Sequence, residues 1–171
     1  RIAVHELDIL QRTTNIDYAM SIIEKNPTAY IDYVPGIFLS KILEKYPNVI
    51  QYVNNPTTQN QELIGEMDIN NLLYVKPNKL NVFVLINLLD TQVPSFKFMV
   101  RLVEKNMKII TNELLIEEII RVNYKCSAIF MRTIKANPNL IELLKQKCIQ
   151  KNDLDFFNFQ VKPVTSLTIS K

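Results

Sequence analysis

The chain has 171 residues, 47% hydrophobic and 22% charged, with a net charge of only +3. That supplies enough apolar matter for a folded domain and excludes disorder over most of the length. Glycine occurs only as Gly36 and Gly65, which removes the glycine-rich phosphate loop and the dinucleotide fingerprint, because both need backbone N–H groups in close approach to an anion. The same scarcity disfavours sheets, whose tight turns draw on Gly, and favours helices joined through Pro and Asn. In chain order, the pattern predicts helices over 4–12 and 16–26, a short one over 28–34, and a pair over 37–46 and 47–54. Residues 54–61 read as a polar loop, and 61–75 as helix in two pieces around Gly65. The apolar run at 80–89 fits a strand by its β-branched content and a helix by its length, and its context favours helix. Further helices are expected near 95–105, 108–122, 125–136 and 138–150. Residues 152–171, with Phe156, Phe157, Phe159 and Pro163, read as an extended arm.

A phrase recurs along the chain. Tyr18–Ile31, Phe38–Ile50, Phe98–Ile110 and, more loosely, Phe130–Ile141 each hold an apolar helix, a break and a second apolar run. Three of the four copies place Pro at the break: Asn26-Pro27, Tyr46-Pro47 and Asn137-Pro138. Pro at the first helical position sacrifices no needed hydrogen bond, and Asn is a good N-cap, so a helix stop is followed at once by a new start. Asn55-Pro56 suits the same role. The expected fold is therefore all-α: an irregular, solenoid-like array of short helix pairs over 1–151, followed by the arm at 152–171.

The phrases Ile22-Ile23-Glu24-Lys25-Asn26-Pro27 with Tyr33-Val34-Pro35, and Ile42-Leu43-Glu44-Lys45-Tyr46-Pro47 with Tyr52-Val53-Asn54, resemble the short α-helical repeats of uncharacterised proteins from large DNA viruses, phages and bacteria. The resemblance covers about half the chain and implies architecture, with no catalytic residue to carry over. An abundance of Asn, Ile and Lys fits an AT-rich genome. The ankyrin and tetratricopeptide signatures are not seen.

Most catalytic constellations lack their residues. His5 is the only histidine and sits among Glu6 and Asp8, where a solvated or capping role is expected. With Cys126 and Cys148 it makes only three soft ligands, too few for a structural zinc site. The two cysteines read as reduced and buried, fitting a reducing cytoplasm or a virion. Glu62, Glu66 and Asp68 could join a metal only with help from elsewhere, and a solvated acidic face is the simpler account. No stretch is long and apolar enough for a membrane span, and residues 1–8 lack a signal-peptide core. Arg1 in place of an initiator Met reads as a fragment or a processed form. No cofactor is expected.

Charge is uneven. Residues 1–96 carry seven basic and ten acidic side chains, whereas 97–151 carry eleven and five. Lys97, Arg101, Lys105 and Lys108 recur at helical spacing along one stripe, and Arg132 and Lys135 occupy nearby places in the fourth copy. Such a stripe fits phosphates or an acidic protein surface. Tyr18, in the place of Phe38 and Phe98, is expected in the core rather than as a stacking platform, whereas Tyr46, in the place of the Asn of Asn-Pro, is expected to be partly exposed. The function expected is a non-enzymatic protein–protein interaction or structural module, a component of a viral or other large assembly. Nucleic-acid or polyanion binding through 97–135 is the alternative. The arm, with Phe156, Phe157 and Phe159, is expected to pack back over the end of its own helical stack; the alternative is that it docks on an assembly neighbour, in which case deleting 152–171 abolishes assembly but not folding.

Overall fold

The computed structural model describes residues 2–162, and every regular element among them is helical. The backbone divides into two compact units, Arg1–Val84 and Leu85–Lys171. In the first unit, α1 (Val4–Arg12) and α2 (Ile16–Ile23) precede the short α3 (Pro27–Tyr30), which runs into a 3₁₀ turn over Ile31–Tyr33. Next come α4 (Gly36–Lys45) with a 3₁₀ segment over Pro47–Tyr52, and α5 (Thr58–Met67) with another over Ile69–Tyr74. The boundary between units falls inside α6 (Val82–Thr91), so the ambiguous apolar run is a helix. The second unit continues with α7 (Phe96–Lys105), α8 (Glu113–Asn123), a 3₁₀ segment over Tyr124–Phe130, α9 (Met131–Lys135), α10 (Pro138–Gln150) and α11 (Leu154–Gln160).

One local device ends most of these helices. A single residue swings to an extended φ and the next helical turn starts at once: Asn26 (φ −160°), Tyr46 (−130°), Asp68 (−169°), Asn106 (−123°), Asn123 (−154°) and Asn137 (−131°). Its N–H closes the outgoing helix and its carbonyl opens the next. Tyr46 N donates to Ile42 O at 2.7 Å, and Tyr46 O accepts from Val49 N at 3.0 Å. Asn106 does the same with Val103 O at 3.1 Å and Ile109 N at 3.0 Å. One residue thus satisfies an orphaned carbonyl of the outgoing helix and an orphaned N–H of the next. Pro27, Pro47 and Pro138 share this setting, each just after the break and at the start of the next helix, where a missing N–H costs nothing.

The break also fixes which side chains point inward. Residues four and three places before it, and four after it, are buried at five of the six breaks: Ile22, Ile23 and Tyr30; Ile42, Leu43 and Ile50; Ile64, Gly65 and Leu72; Leu102, Val103 and Ile110; Ile119, Ile120 and Ser127. In the first unit α2 packs on α4, α4 on α5, and the Pro47–Tyr52 segment on Ile69–Tyr74. In the second, Tyr124–Phe130 packs against α7 and α8, while α10 packs against α8, α9 and α11. Ser127 departs from the pattern, since its fully buried Oγ has no hydrogen-bond partner among the described residues, where the matching positions hold an apolar side chain or a bonded tyrosine.

Several expected boundaries move for capping reasons. The break in 61–75 falls at Asp68 rather than Gly65, because the Asp68 side chain caps the Ile69–Tyr74 turn. Helix α5 starts within the expected polar loop, since Thr57 Oγ1 accepts from Asn60 N at 3.1 Å, and Pro56 therefore precedes the cap instead of opening the helix. Asn112 accepts from Leu115 N and delays the helix expected from 108 until Glu113. The region expected as helix over 125–136 is instead a 3₁₀ segment over Tyr124–Phe130 and the short α9, divided at Phe130, whose φ is −128°.

Two buried polar clusters fasten the first unit. Glu6 of α1 is buried and accepts hydrogen bonds from Lys25 Nζ and Tyr30 Oη, while Tyr30 Oη also accepts from Ala3 N at 3.2 Å. Buried Gln61 donates to Pro56 O at 3.2 Å and Lys79 O at 3.0 Å, and accepts from Asn81 N at 2.7 Å. It holds the turn whose Asn78 takes a left-handed φ of 66°.

Residues 154–160 correct the expected extended arm. They form α11, packed on α10, with Phe157 buried. The helix starts because Asn152 adopts a left-handed φ of 58° and Asp153 N returns to Cys148 O at 2.8 Å, closing α10. Asp153 then caps Phe156 N. Residues 163–171 of the expected arm lie outside the described residues.

Candidate interaction surfaces

Helix α7 buries Phe98, Met99, Leu102 and Val103 on one face, and Ser95 Oγ caps its start at Phe98 N. The opposite face carries Lys97, Arg101 and Lys105 at intervals of four, with Glu104 between them. Lys108 is exposed on the 3₁₀ turn that follows. Lys105 sits half-buried at the edge of the row; burial and the nearby Arg101 charge hold its ammonium below the ordinary lysine range. Lys97 and Arg101 form no ion pair among the described residues. Beside the cations the same helix exposes Phe96, 50% accessible, and the preceding loop exposes Val93, 96% accessible.

Arg132 and Lys135 are exposed on α9, whose Met131 and Ile134 are buried. Lys97, Arg101 and Lys105 lie on α7, and Lys108 lies beyond the Asn106 break on the following 3₁₀ turn. The other two cations belong to a helix reached through Tyr124–Phe130, the segment that packs on α7.

The three phenylalanines separate. Phe157 is core, and Phe156 lies edge-on to Tyr124 with ring centroids 5.5 Å apart. Phe159, 70% accessible, is the aromatic left to meet a partner. Tyr124 also donates to Asp153 at 2.7 Å, and this bond, followed by burial, pushes its hydroxyl up to about 12. Deleting 152–171 therefore removes α11, with its buried Phe157, from its packing on α10.

The acidic cluster does not converge. Glu62 and Glu66 are exposed and Asp68 is engaged as a cap. No group of three or more potential metal ligands occurs among the described residues. Cys126 and Cys148 are free and buried, and burial pushes the Cys126 thiol up to about 11, where it is a poor nucleophile at neutral pH. Tyr18 corrects the core expectation. It is 51% accessible, although Phe38 and Phe98 in the matching places are buried. Tyr30 is the tyrosine that reaches the core, because Glu6 and Ala3 satisfy its hydroxyl.

One feature of the second unit escaped the sequence reading. A groove of about 480 Å³ opens between α8 and α10, lined by Ile120, Arg121, Leu143, Gln146, Lys147 and Gln150. Arg121 is held by Glu118 and, at 2.6 Å, by Asp90. The spacing of 143, 146, 147 and 150 on one helical face was visible in the sequence, but the wall opposite was not. In the first unit, smaller hollows flank exposed Ile37, one of about 300 Å³ beside Arg12 and Phe38 and one of about 290 Å³ beside Ser40 and Asn60.

No protein-family model matches the chain, and comparisons with curated proteins and with solved structures find no match. No helix among the described residues is long and apolar enough to cross a membrane.

Proposed function

We propose that this chain is a non-enzymatic helical-repeat module that binds a protein partner, as part of a larger assembly. The observation that carries the reading is the recurring one-residue break, with burial at fixed offsets before and after it within each unit. A repeat of this kind spends its apolar side chains on its neighbours in the stack and leaves rows of outward side chains as extended binding faces. Capture from the native source by the full chain, with the bound species identified, tests the reading. A discrete protein partner supports it, and turnover of a bound small molecule contradicts it.

A second reading, polyanion binding, is favoured by the row Lys97, Arg101, Lys105 and Lys108 along α7 and its turn. Several cations on one surface release condensed counterions when phosphates dock. Arg101→Glu with Lys105→Glu then weakens binding to single- or double-stranded nucleic acid and flattens its salt dependence. Salt-insensitive binding excludes this reading.

A further inference from the structure

From the groove between α8 and α10, we infer that the second unit takes an acidic amphipathic segment of a protein partner there, with partner carboxylates on Lys147 and a partner apolar side chain on Leu143. The inference rests on the interaction-module reading and names the site and the partner's chemistry.

The groove's floor and walls differ in kind. Ile120 is buried at the helix junction, and Leu143 keeps 36% of its surface open. Leu143, Gln146, Lys147 and Gln150 lie at i, i+3, i+4 and i+7, so they share one face of α10 over about two turns, or about 10 Å. That length matches a short helical or extended peptide and is small for an extended stretch of duplex.

The charges decide the occupant. Arg121 already has Glu118 and Asp90, whereas Lys147 has no ion pair among the described residues. Partial burial, and then the charges of Lys151 and Arg121, hold its ammonium below the ordinary lysine range. Glu142 lies on the same helix, yet it accepts from Gln146 at 2.7 Å. Glu118, the acid of α8 nearest this wall in sequence, is engaged with Arg121. A cation without an ion pair among the described residues, set beside the exposed Leu143, is complementary to a carboxylate carried next to a leucine-like side chain. Nucleic acid fits less well, since no aromatic platform lines the groove and its floor is aliphatic.

The test uses the full chain and a short acetylated, amidated peptide with Glu and Leu at helical spacing, alongside its Gln-for-Glu counterpart. The acidic peptide is expected to shift the amide resonances of Ile120, Leu143, Lys147 and Gln150. Lys147→Glu and, separately, Leu143→Asp are each expected to weaken its binding at least about tenfold, in the range seen when a paired interfacial charge is lost. Lys97→Glu on α7 leaves the affinity unchanged, and an unchanged thermal midpoint shows that each variant is folded. Absence of binding, equal affinity for the Gln peptide, or shifts confined to α7 overturns the inference. Self-association abolished by Lys147→Glu also overturns it, by making a second copy the occupant. Native partners captured equally by wild type and Lys147→Glu remove the groove while leaving the interaction-module reading standing.

Discussion

The two units use the same helical grammar and opposite electrostatics. Arg1–Val84 carries seven basic and nine acidic side chains, and Leu85–Lys171 carries thirteen and eight. In the first unit five of the six described cations, all but the exposed Lys41, are engaged internally. Arg12 pairs with Asp8 at 3.0 Å, Lys25 with Glu6, and Lys45 with Asp17 at 2.9 Å, while Lys76 and Lys79 donate to Asn54 and Asn55. In the second unit Lys97, Arg101, Arg132, Lys135, Lys147 and Lys151 form no ion pair among the described residues. Similar breaks and similar buried offsets thus support two different surfaces. What distinguishes the units is what the outward residues are left to do, because the inward ones are fixed by the break.

The sharpest way to break that comparison is to test the shared interior. Ile42→Ala in the first unit and Leu102→Ala in the second both remove a buried side chain four places before a break, and each should cost about 2–5 kcal/mol in denaturant unfolding. Glu44→Ala, two places before the same break as Ile42 and exposed, should change stability by about 0.5 kcal/mol or less. A loss under about 1 kcal/mol for either core variant removes the common rule.

A smaller effect tests the first unit's internal charge. Tyr30→Phe leaves Glu6 and Ala3 N each short of a partner and should cost about 1–3 kcal/mol. Hydrogen bonds from Lys25, then from Tyr30, hold the Glu6 carboxyl below its ordinary range. A depressed native value means that the carboxylate stabilises the fold fully above the unfolded-state value, about 4.3, and that this contribution is lost as pH falls through the native value. Hydrogen exchange should therefore show α1 loosening on acidification, with Glu6→Gln abolishing that dependence. An α1 equally protected across the range contradicts the latch.

The smallest expected effect belongs to the second unit. Arg101→Glu should change stability by about 0.5 kcal/mol or less, because the side chain is exposed and forms no ion pair among the described residues. The same change should raise the Lys105 titration, followed by NMR, because it replaces a repelling charge with an attracting one. A marked loss of stability would mean that the α7 row is structural.

The architecture was legible where one residue's chemistry decides it. Pro27, Pro47 and Pro138 can open a helix without a donor, and Asn26 and Asn137 can end one, so those breaks stood out in the sequence. Scarce glycine pointed away from sheet, and residues 80–89 obeyed their length rather than their β-branched content. Illegible were features set by distant partners. The Glu6–Lys25–Tyr30 cluster joins residues 24 apart in sequence, from Glu6 to Tyr30, and an acid near the terminus reads as solvated until Tyr30 is seen beneath it. Helix α11 was hidden because its aromatic cluster resembles an extended segment, while its start depends on the left-handed Asn152 and the Asp153 cap. The α8–α10 groove needs both walls, and only one of them carries a sequence pattern.

The most direct measurement compares captured partners from the native source for three full-length proteins at one ionic strength: wild type, Arg101→Glu with Lys147→Glu in the second unit, and Lys41→Glu with Lys76→Glu in the first. Both variants change net charge equally. The account predicts that the second-unit variant loses the wild-type partner and the first-unit variant keeps it, with all three chains folded. Equal capture by all three, or loss only with the first-unit changes, would contradict it.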